Sequence, residues 1–280
     1  GKVGAKRLYH RLCTSWMARR AAGVIATSPN ELEELSGLVG PRRLILRRNG
    51  LDLARFGTLP DGAAFRARLG IGADERVVLY LGRISPIKNL EQLLLAFAAL
   101  APGRARLVLV GPLLEPDYEA RLRRLIAARD LASSVILAGP AYDEEKYAAL
   151  AAADLFVLPS LAESFGNAAA EAVAAGVPVL LTEGCGIAPL IHGRAGLAVP
   201  GTVPALAEGL RTMLDEPERR ATLTSRRGEV LRELSWDEPL EALEHLYARL
   251  VRATPATARG RSLELIADTS ERSGDVYPRD

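Results

Sequence analysis

LFVLPSLAESFGNAAAEAVAAGVPVLLT, residues 155–182, carries two apolar runs separated by a polar turn and an alanine-rich stretch. LFVLPS and VPVLLT show no alternation of apolar and polar residues, which is the pattern of strands covered on both faces. Residues 167–175 between them have helical spacing. A strand, a helix and a second strand in so short a span form the crossover unit of a parallel sheet.

The same alternation extends in both directions. GVIATS (23–28), LILRRN (44–49), RVVLYLG (76–82), RLVLVG (106–111), SVILAG (134–139) and GLAVP (196–200) read as further strands. Helical spacing covers 88–101, 117–131, 143–153, 203–215 and 217–233. From about residue 76 to 200 the pattern predicts an α/β fold, a Rossmann-like parallel sheet with helices on both faces. Ser235 and Glu238 mark a capping box ahead of LEALEHLYARLV, the last helix. The segment 254–280 is rich in turn formers without periodicity and reads as a flexible tail.

The N-terminal part reads differently. A helix over 4–21, one strand, a short helix and a second strand lead to NGLDLARF (49–56), and the chain opens on Gly1 rather than methionine. Two strands make no stable parallel domain by themselves. They either join the main sheet or belong to a domain of which most is absent. Within the helix, Leu8, Leu12 and Trp16 recur at helical spacing among many cations. That stripe suits an anionic membrane surface, and equally suits packing against the rest of its own domain.

Composition excludes several classes. With 280 residues, 49% of them hydrophobic, the chain can bury a large core. No run is long enough to span a membrane, and no secretory leader is evident, so a cytoplasmic protein is expected. Cys13 and Cys185 stand far apart with no Cys/His cluster, which argues against a metal site or disulfide framework. A net charge of +2 gives no footprint for nucleic acid. Lysine occurs only at positions 2, 6, 88 and 146 against a background of arginine. Lys88 in a loop is therefore conspicuous.

Open parallel sheets bind ligands beyond the carboxyl ends of their strands. GRISPIKN (82–89) occupies such an end and offers Gly82, Arg83 and Lys88. Two cations there suit a phosphate pair, Arg as a fork and Lys as a point charge. Ordinary solvated surface is the competing reading of the same loop. The second loop, ESFGNAAAE (163–171), opens a helix near Gly166, whose free amides and dipole favour an anion. Ser164, Phe165, Gly166 and Asn167 frame that helix end. Glu163 stands before it, and Glu171 lies just over one turn inside, on the face of Asn167. Carboxylates repel a diphosphate but match vicinal diols, which a nucleotide sugar carries on both sides of its phosphates. Acids also occur early in helices merely to complement the dipole.

GRISPIKNLEQLLLAF, LVLVG and the block LFVLPSLAESFGNAAAEAVAAGVPVLLTEGCG resemble the donor-binding C-terminal domain of retaining glycosyltransferases of the GT-B fold, family 4, the glycosyl transferases group 1. RRAAGVIATSPNELEEL and RRNGLDLARF resemble the closing strands of that family's N-terminal domain and the linker. The resemblance runs from about residue 5 to 252 and implies four segments: 1–56, the end of an acceptor domain and the linker; 57–234, the nucleotide-sugar domain; 235–253, a helix returning to the N-terminal part; and 254–280, the tail. It implies Arg83 and Lys88 on the donor diphosphate with the amides around Phe165 and Gly166, Glu171 on the ribose, and Glu163 on the transferred sugar. AGPAYDEE (138–145) would line the nucleobase through its backbone.

The implied partners are a UDP-, GDP- or ADP-sugar and a glycan, lipid-linked or small-molecule acceptor, with no metal or other cofactor. Two departures stand out. CGIAPLI (185–191) has Pro189 where relatives often carry a glutamate, and the family's N-terminal glycine loop and acceptor histidine lie upstream of Gly1. His10, His192 and His245 do not replace that histidine. A chain lacking most of the N-terminal domain is thus expected, either an enzyme or a donor-binding half that needs a partner for turnover. A dinucleotide oxidoreductase would want GxGxxG after the first strand, and neither GRISPIKN nor LVGPLLEP supplies it.

Overall fold

The computed structural model describes residues 13–253 apart from 48, 101, 102 and 104. The expected tail, His10, Lys2, Lys6 and the first half of the basic stripe, including Leu8 and Leu12, lie outside the described residues. Trp16 lies within them, on the short helix Ser15–Arg20, and is exposed with the Arg20 guanidinium over its ring.

Six strands form one parallel sheet: β3 (Arg76–Leu81), β4 (Ala105–Val110), β5 (Val135–Gly139), β6 (Leu155–Leu158), β7 (Val179–Thr182) and β8 (Gly196–Val199). Their order is β5-β4-β3-β6-β7-β8. The central strands β3, β6 and β7 are buried through most or all of their length, while β5 and β8 at the edges are largely half-buried. That gradient explains why the central runs are so uniformly apolar. The earlier strands, β1 (Val24–Ala26) and β2 (Leu44–Leu46), pair with each other in a separate parallel sheet and do not join the six.

Leu90–Ala99, Pro116–Ala128, Asp143–Ala152, Asn167–Ala174 and Val203–Asp215 are the main helices around the six-stranded sheet. Asn167–Ala174 buries Ala169, Ala170, Ala172, Val173 and Ala174. Small side chains on nearly every face let it lie close to its neighbours. Arg227 closes its far end, donating to the carbonyls of Val173 at 2.6 Å and Ala174 at 2.8 Å. The Val173 carbonyl also accepts from the Gly176 amide at 3.1 Å, while that of Ala174 has no other hydrogen bond among the described residues. Arg227→Ala should therefore lower stability by about 1.5–3 kcal/mol, read as a shift in urea midpoint at constant slope.

Three details differ from the sequence reading. The helical span 217–233 is two helices, Pro217–Thr224 and Arg227–Glu233, because Ser225 turns its hydroxyl back to the Thr222 carbonyl at 2.8 Å. At the start of the last helix, Asp237–Ala253, the Ser235 hydroxyl accepts from the Asp237 amide at 3.2 Å and donates to its carboxylate at 2.7 Å. The side chain of Glu238, the expected capping partner, lies outside the described residues. A helix at Gly62–Arg68, capped by Asp61, has no counterpart among the expected elements.

The last helix reaches the N-terminal part: a Cβ at Gly23 would lie 3.1 Å from Leu246. Leu51 pairs with this region too, its amide donating to the Leu234 carbonyl at 2.7 Å. Beyond β3 and β4 the chain crosses itself closely, since a Cβ built on Gly111 would stand 1.8 Å from the carbonyl oxygen of Gly82. Only a residue without a side chain fits there. The loop that begins at Gly82 is set by that crossing.

Candidate functional site

The strand order reverses between β3 and β6, so the loops following them flank one crevice at the carboxyl edge of the sheet. These are the loops 82–89 and 159–166, far apart in sequence and joined here by the Leu161 amide donating to the Ile87 carbonyl at 2.9 Å. The Lys88 ammonium is hydrogen-bonded to the Glu163 carboxylate across the same gap. Both side chains are mostly buried, with 16% and 24% of their surface exposed, which limits screening by solvent. Ser160 also donates to Glu163, at 3.4 Å.

Arg83, expected beside Lys88, is exposed, and its guanidinium forms no hydrogen bond or ion pair among the described residues. Its carbonyl accepts from the buried Tyr80 hydroxyl at 2.8 Å, and burial raises that phenol well above its ordinary value. The loop is thereby pinned at its base while the cation stays free to reach a ligand.

The loop 161–165 lies in extended pairing with the segment 184–187. Glu163 donates to Gly184 at 3.0 Å, Gly186 to Glu163 at 2.9 Å and Ile187 to Phe165 at 2.8 Å. Cys185, inside this strip, is fully buried beside Thr182, and burial pushes its thiol up. Gly166 follows at φ 111°, a left-handed conformation, with Ile187 and Leu158 pressed against the place a Cβ would take. The helix begins at Asn167, and the amides of Phe165, Gly166 and Asn167 donate to no acceptor among the described residues. Phe165 is buried, while Ser164 and Asn167 are exposed.

Asn167 does not face Glu171 in any recorded contact. Its carboxamide oxygen accepts from Asn49 at 3.0 Å, and Arg47 lies 3.4 Å behind Asn49, which links the N-terminal part to the helix end. Glu171 instead binds Lys146, with 2.9 Å between ammonium and carboxylate. Lys146 belongs to Asp143–Ala152, the helix after β5 whose first turn is the DEE of AGPAYDEE. Sequence reasoning passed over it, although the scarcity of lysine was the available signal: Lys88 and Lys146 each pair with one of the two glutamates singled out.

Between the helix Pro29–Ser36 and these loops lies a cavity of about 270 Å³, lined by Ser28, Glu31, Glu34, Ala162, Glu163, Ser164 and Gly184. Glu31 is held by the Thr27 amide at 2.6 Å and hydroxyl at 2.7 Å. Carboxylates and hydroxyls thus face the open side of Glu163, a lining that suits a polyhydroxylated guest. The remaining expected positions have other surroundings. Pro189 sits in the four-residue helix Ala188–Ile191, His192 accepts from the Ala198 amide at 3.1 Å, and His245 is exposed on the last helix. Among the described residues no helix is long and apolar enough to cross a membrane, and no group of three or more His, Cys, Asp or Glu is placed to hold a metal.

The family model "Glycosyl transferases group 1" matches residues 61–228. A D-inositol 3-phosphate glycosyltransferase of Kineococcus radiotolerans is 36% identical over 251 residues, covering 81% of this chain and 57% of the relative. One from Corynebacterium efficiens is 33% identical over 260 residues, covering 87% and 60%. The chain therefore spans somewhat over half the length of these curated relatives. Among solved structures, Anabaena HepE in complex with UDP and glucose superposes with a TM-score of 0.74 at 27% identity, over 86% of this chain and 66% of HepE. The sucrose-phosphate synthase of Thermosynechococcus elongatus gives 0.73 at 29%, over 86% and 61%.

Proposed function

Because this chain belongs to the glycosyl transferases group 1 and has their GT-B type of α/β fold, we propose that it transfers a sugar from a nucleotide-diphosphate donor to an acceptor hydroxyl with retention of configuration. The observation that carries this reading is the crevice between β3 and β6, where Lys88, Glu163 and a helix end with free amides meet.

The roles follow from charge and geometry. Arg83, Lys88 and the amides of Phe165 and Gly166 bind the donor diphosphate, with Gly82 and Ser164 shaping the loops around it. Glu171 accepts from the ribose hydroxyls. Glu163, beside the polar cavity, accepts from the transferred sugar, and Asn167 holds the helix end against Asn49. The acceptor hydroxyl approaches on the face from which the diphosphate leaves, and the departing phosphate oxygen takes its proton. The chain's contribution is orientation and stabilisation of leaving-group charge, without a protein nucleophile. A UDP-sugar is the favoured donor class, since HepE was obtained with UDP and with UDP-glucose.

A second reading rests on the share of its relatives that this chain spans: these residues bind donor, and turnover needs groups supplied by further polypeptide. Both readings place the donor in the same crevice. Calorimetric titration of the chain with UDP, GDP and ADP tests it, repeated with Glu171→Ala. UDP should bind, and the variant should bind it about 10- to 150-fold more weakly, the range for hydrogen bonds to a charged group. A chain that binds none of the three would overturn the donor site.

A further inference from the structure

Glu171 projects from a helix whose residues on either side, Ala169, Ala170, Ala172, Val173 and Ala174, are buried, so its backbone is fixed and only its side-chain torsions remain free. A glutamate that must present oxygens to a vicinal diol gains from having those torsions held beforehand, because ordering them at binding costs conformational entropy. Lys146 does the holding. It arrives from another helix, uses one ammonium hydrogen on Oε1 of Glu171 at 2.9 Å, and leaves the second oxygen free. The pair is shielded, with 23% and 18% of the side chains exposed.

Lys146 is itself fixed. Its ammonium lies 4.9 Å from the centre of the Tyr147 ring, a cation–π contact, and Tyr147 stands edge-on to Phe56 at 5.4 Å and 80°. Phe56 closes the short helical turn Leu53–Phe56, the end of NGLDLARF. A stack of Phe56, Tyr147, Lys146 and Glu171 therefore runs from the linker to the nucleoside end of the crevice.

We propose that Lys146 is a positioning residue for the donor ribose: it orients the Glu171 carboxylate toward both hydroxyls, so that selection of ribonucleotides over 2′-deoxyribonucleotides runs through Lys146. The inference rests on the donor reading above. If Lys146 only ties two helices together, its loss lowers stability and weakens all nucleotides alike. If it orients Glu171, its loss falls more heavily on the ribonucleotide.

Calorimetric titrations with UDP and 2′-deoxy-UDP, on the wild-type chain, Lys146→Met and Lys146→Arg, separate these cases. The wild-type chain should prefer UDP by about 10-fold, one hydrogen bond to a charged group. Lys146→Met should bind UDP about 10-fold more weakly and 2′-deoxy-UDP, which keeps only the 3′-hydroxyl, more weakly by a smaller factor, and Lys146→Arg should restore most of the preference. Equal weakening of both ligands by Lys146→Met, or an unchanged preference, overturns the positioning role while leaving the donor site standing. A wild-type chain that binds neither ligand overturns the donor reading and this inference together. Should Lys146→Met fail to give the far-ultraviolet dichroism of the wild-type chain, Lys146→Gln, which keeps a hydrogen-bond donor without the charge, replaces it: a reduced preference supports the proposal and an intact one overturns it.

Discussion

Lys88→Ala should weaken UDP binding by about 10- to 150-fold and depress turnover by at least as much, while the chain stays folded. The loss has two sources. One is loss of the proposed contact to the diphosphate. The other is Glu163, which the substitution leaves mostly buried, without its cation, beside an anionic ligand. The second source makes a distinctive forecast for the double variant: Lys88→Ala with Glu163→Gln should bind UDP more tightly than Lys88→Ala does, since the unpaired charge has gone. A double-mutant cycle by calorimetry measures that coupling. Wild-type affinity in Lys88→Ala would remove the residue from the site.

Gly111→Ala should be the most disruptive glycine-to-alanine change among the described residues. The new carbon would lie 1.8 Å from the Gly82 carbonyl oxygen, closer than any non-bonded pair tolerates, so the backbone itself must shift. We expect a loss of about 3 kcal/mol or more in urea unfolding, at the upper end of overpacking effects. Gly139→Ala is the control. Gly139 also has positive φ, 77°, but nothing lies within 4 Å of its absent Cβ, so it should cost only the conformational strain of about 1–2 kcal/mol. Near-equal losses in the two variants would mean that the crossing relaxes easily. Whatever fraction of Gly111→Ala folds should bind UDP poorly, because Gly82 begins the loop of Arg83 and Lys88.

The strands could be read from sequence because their physical cause is local. A strand buried on both faces has little room for a polar residue, and LFVL, VLL and LVLV say so directly. Short elements escaped for the converse reason: Gly62–Arg68 opens on glycine and alanines, and Ala188–Ile191 contains Pro189, so neither offers a period to follow. Site geometry is another matter. Loops 82–89 and 159–166 become neighbours only through the strand order, which alternation does not encode. The chemical character of Glu163, Glu171, Arg83 and Lys88 was legible one residue at a time. That Lys88 would pair with Glu163, Arg83 stay exposed and Lys146 answer Glu171 was not, since each pairing spans elements remote in sequence.

The Lys88–Glu163 pair gives the crevice the character of an ion-exchange resin already loaded with its counterion. At Lys88 a donor does not fall onto bare positive charge, as it would at the exposed Arg83. It must elute a carboxylate from Lys88, and the displaced carboxylate must be given something in return. Inorganic phosphate and chloride, abundant in any cell, bring the anion but no diol, so the exchange leaves Glu163 unsatisfied. A nucleotide sugar carries both halves of the trade on one molecule, with hydroxyls for the acids on either side of the phosphates for the cations. On the donor reading, Lys88 should therefore favour a ligand that brings a diol with its anion over a small anion alone.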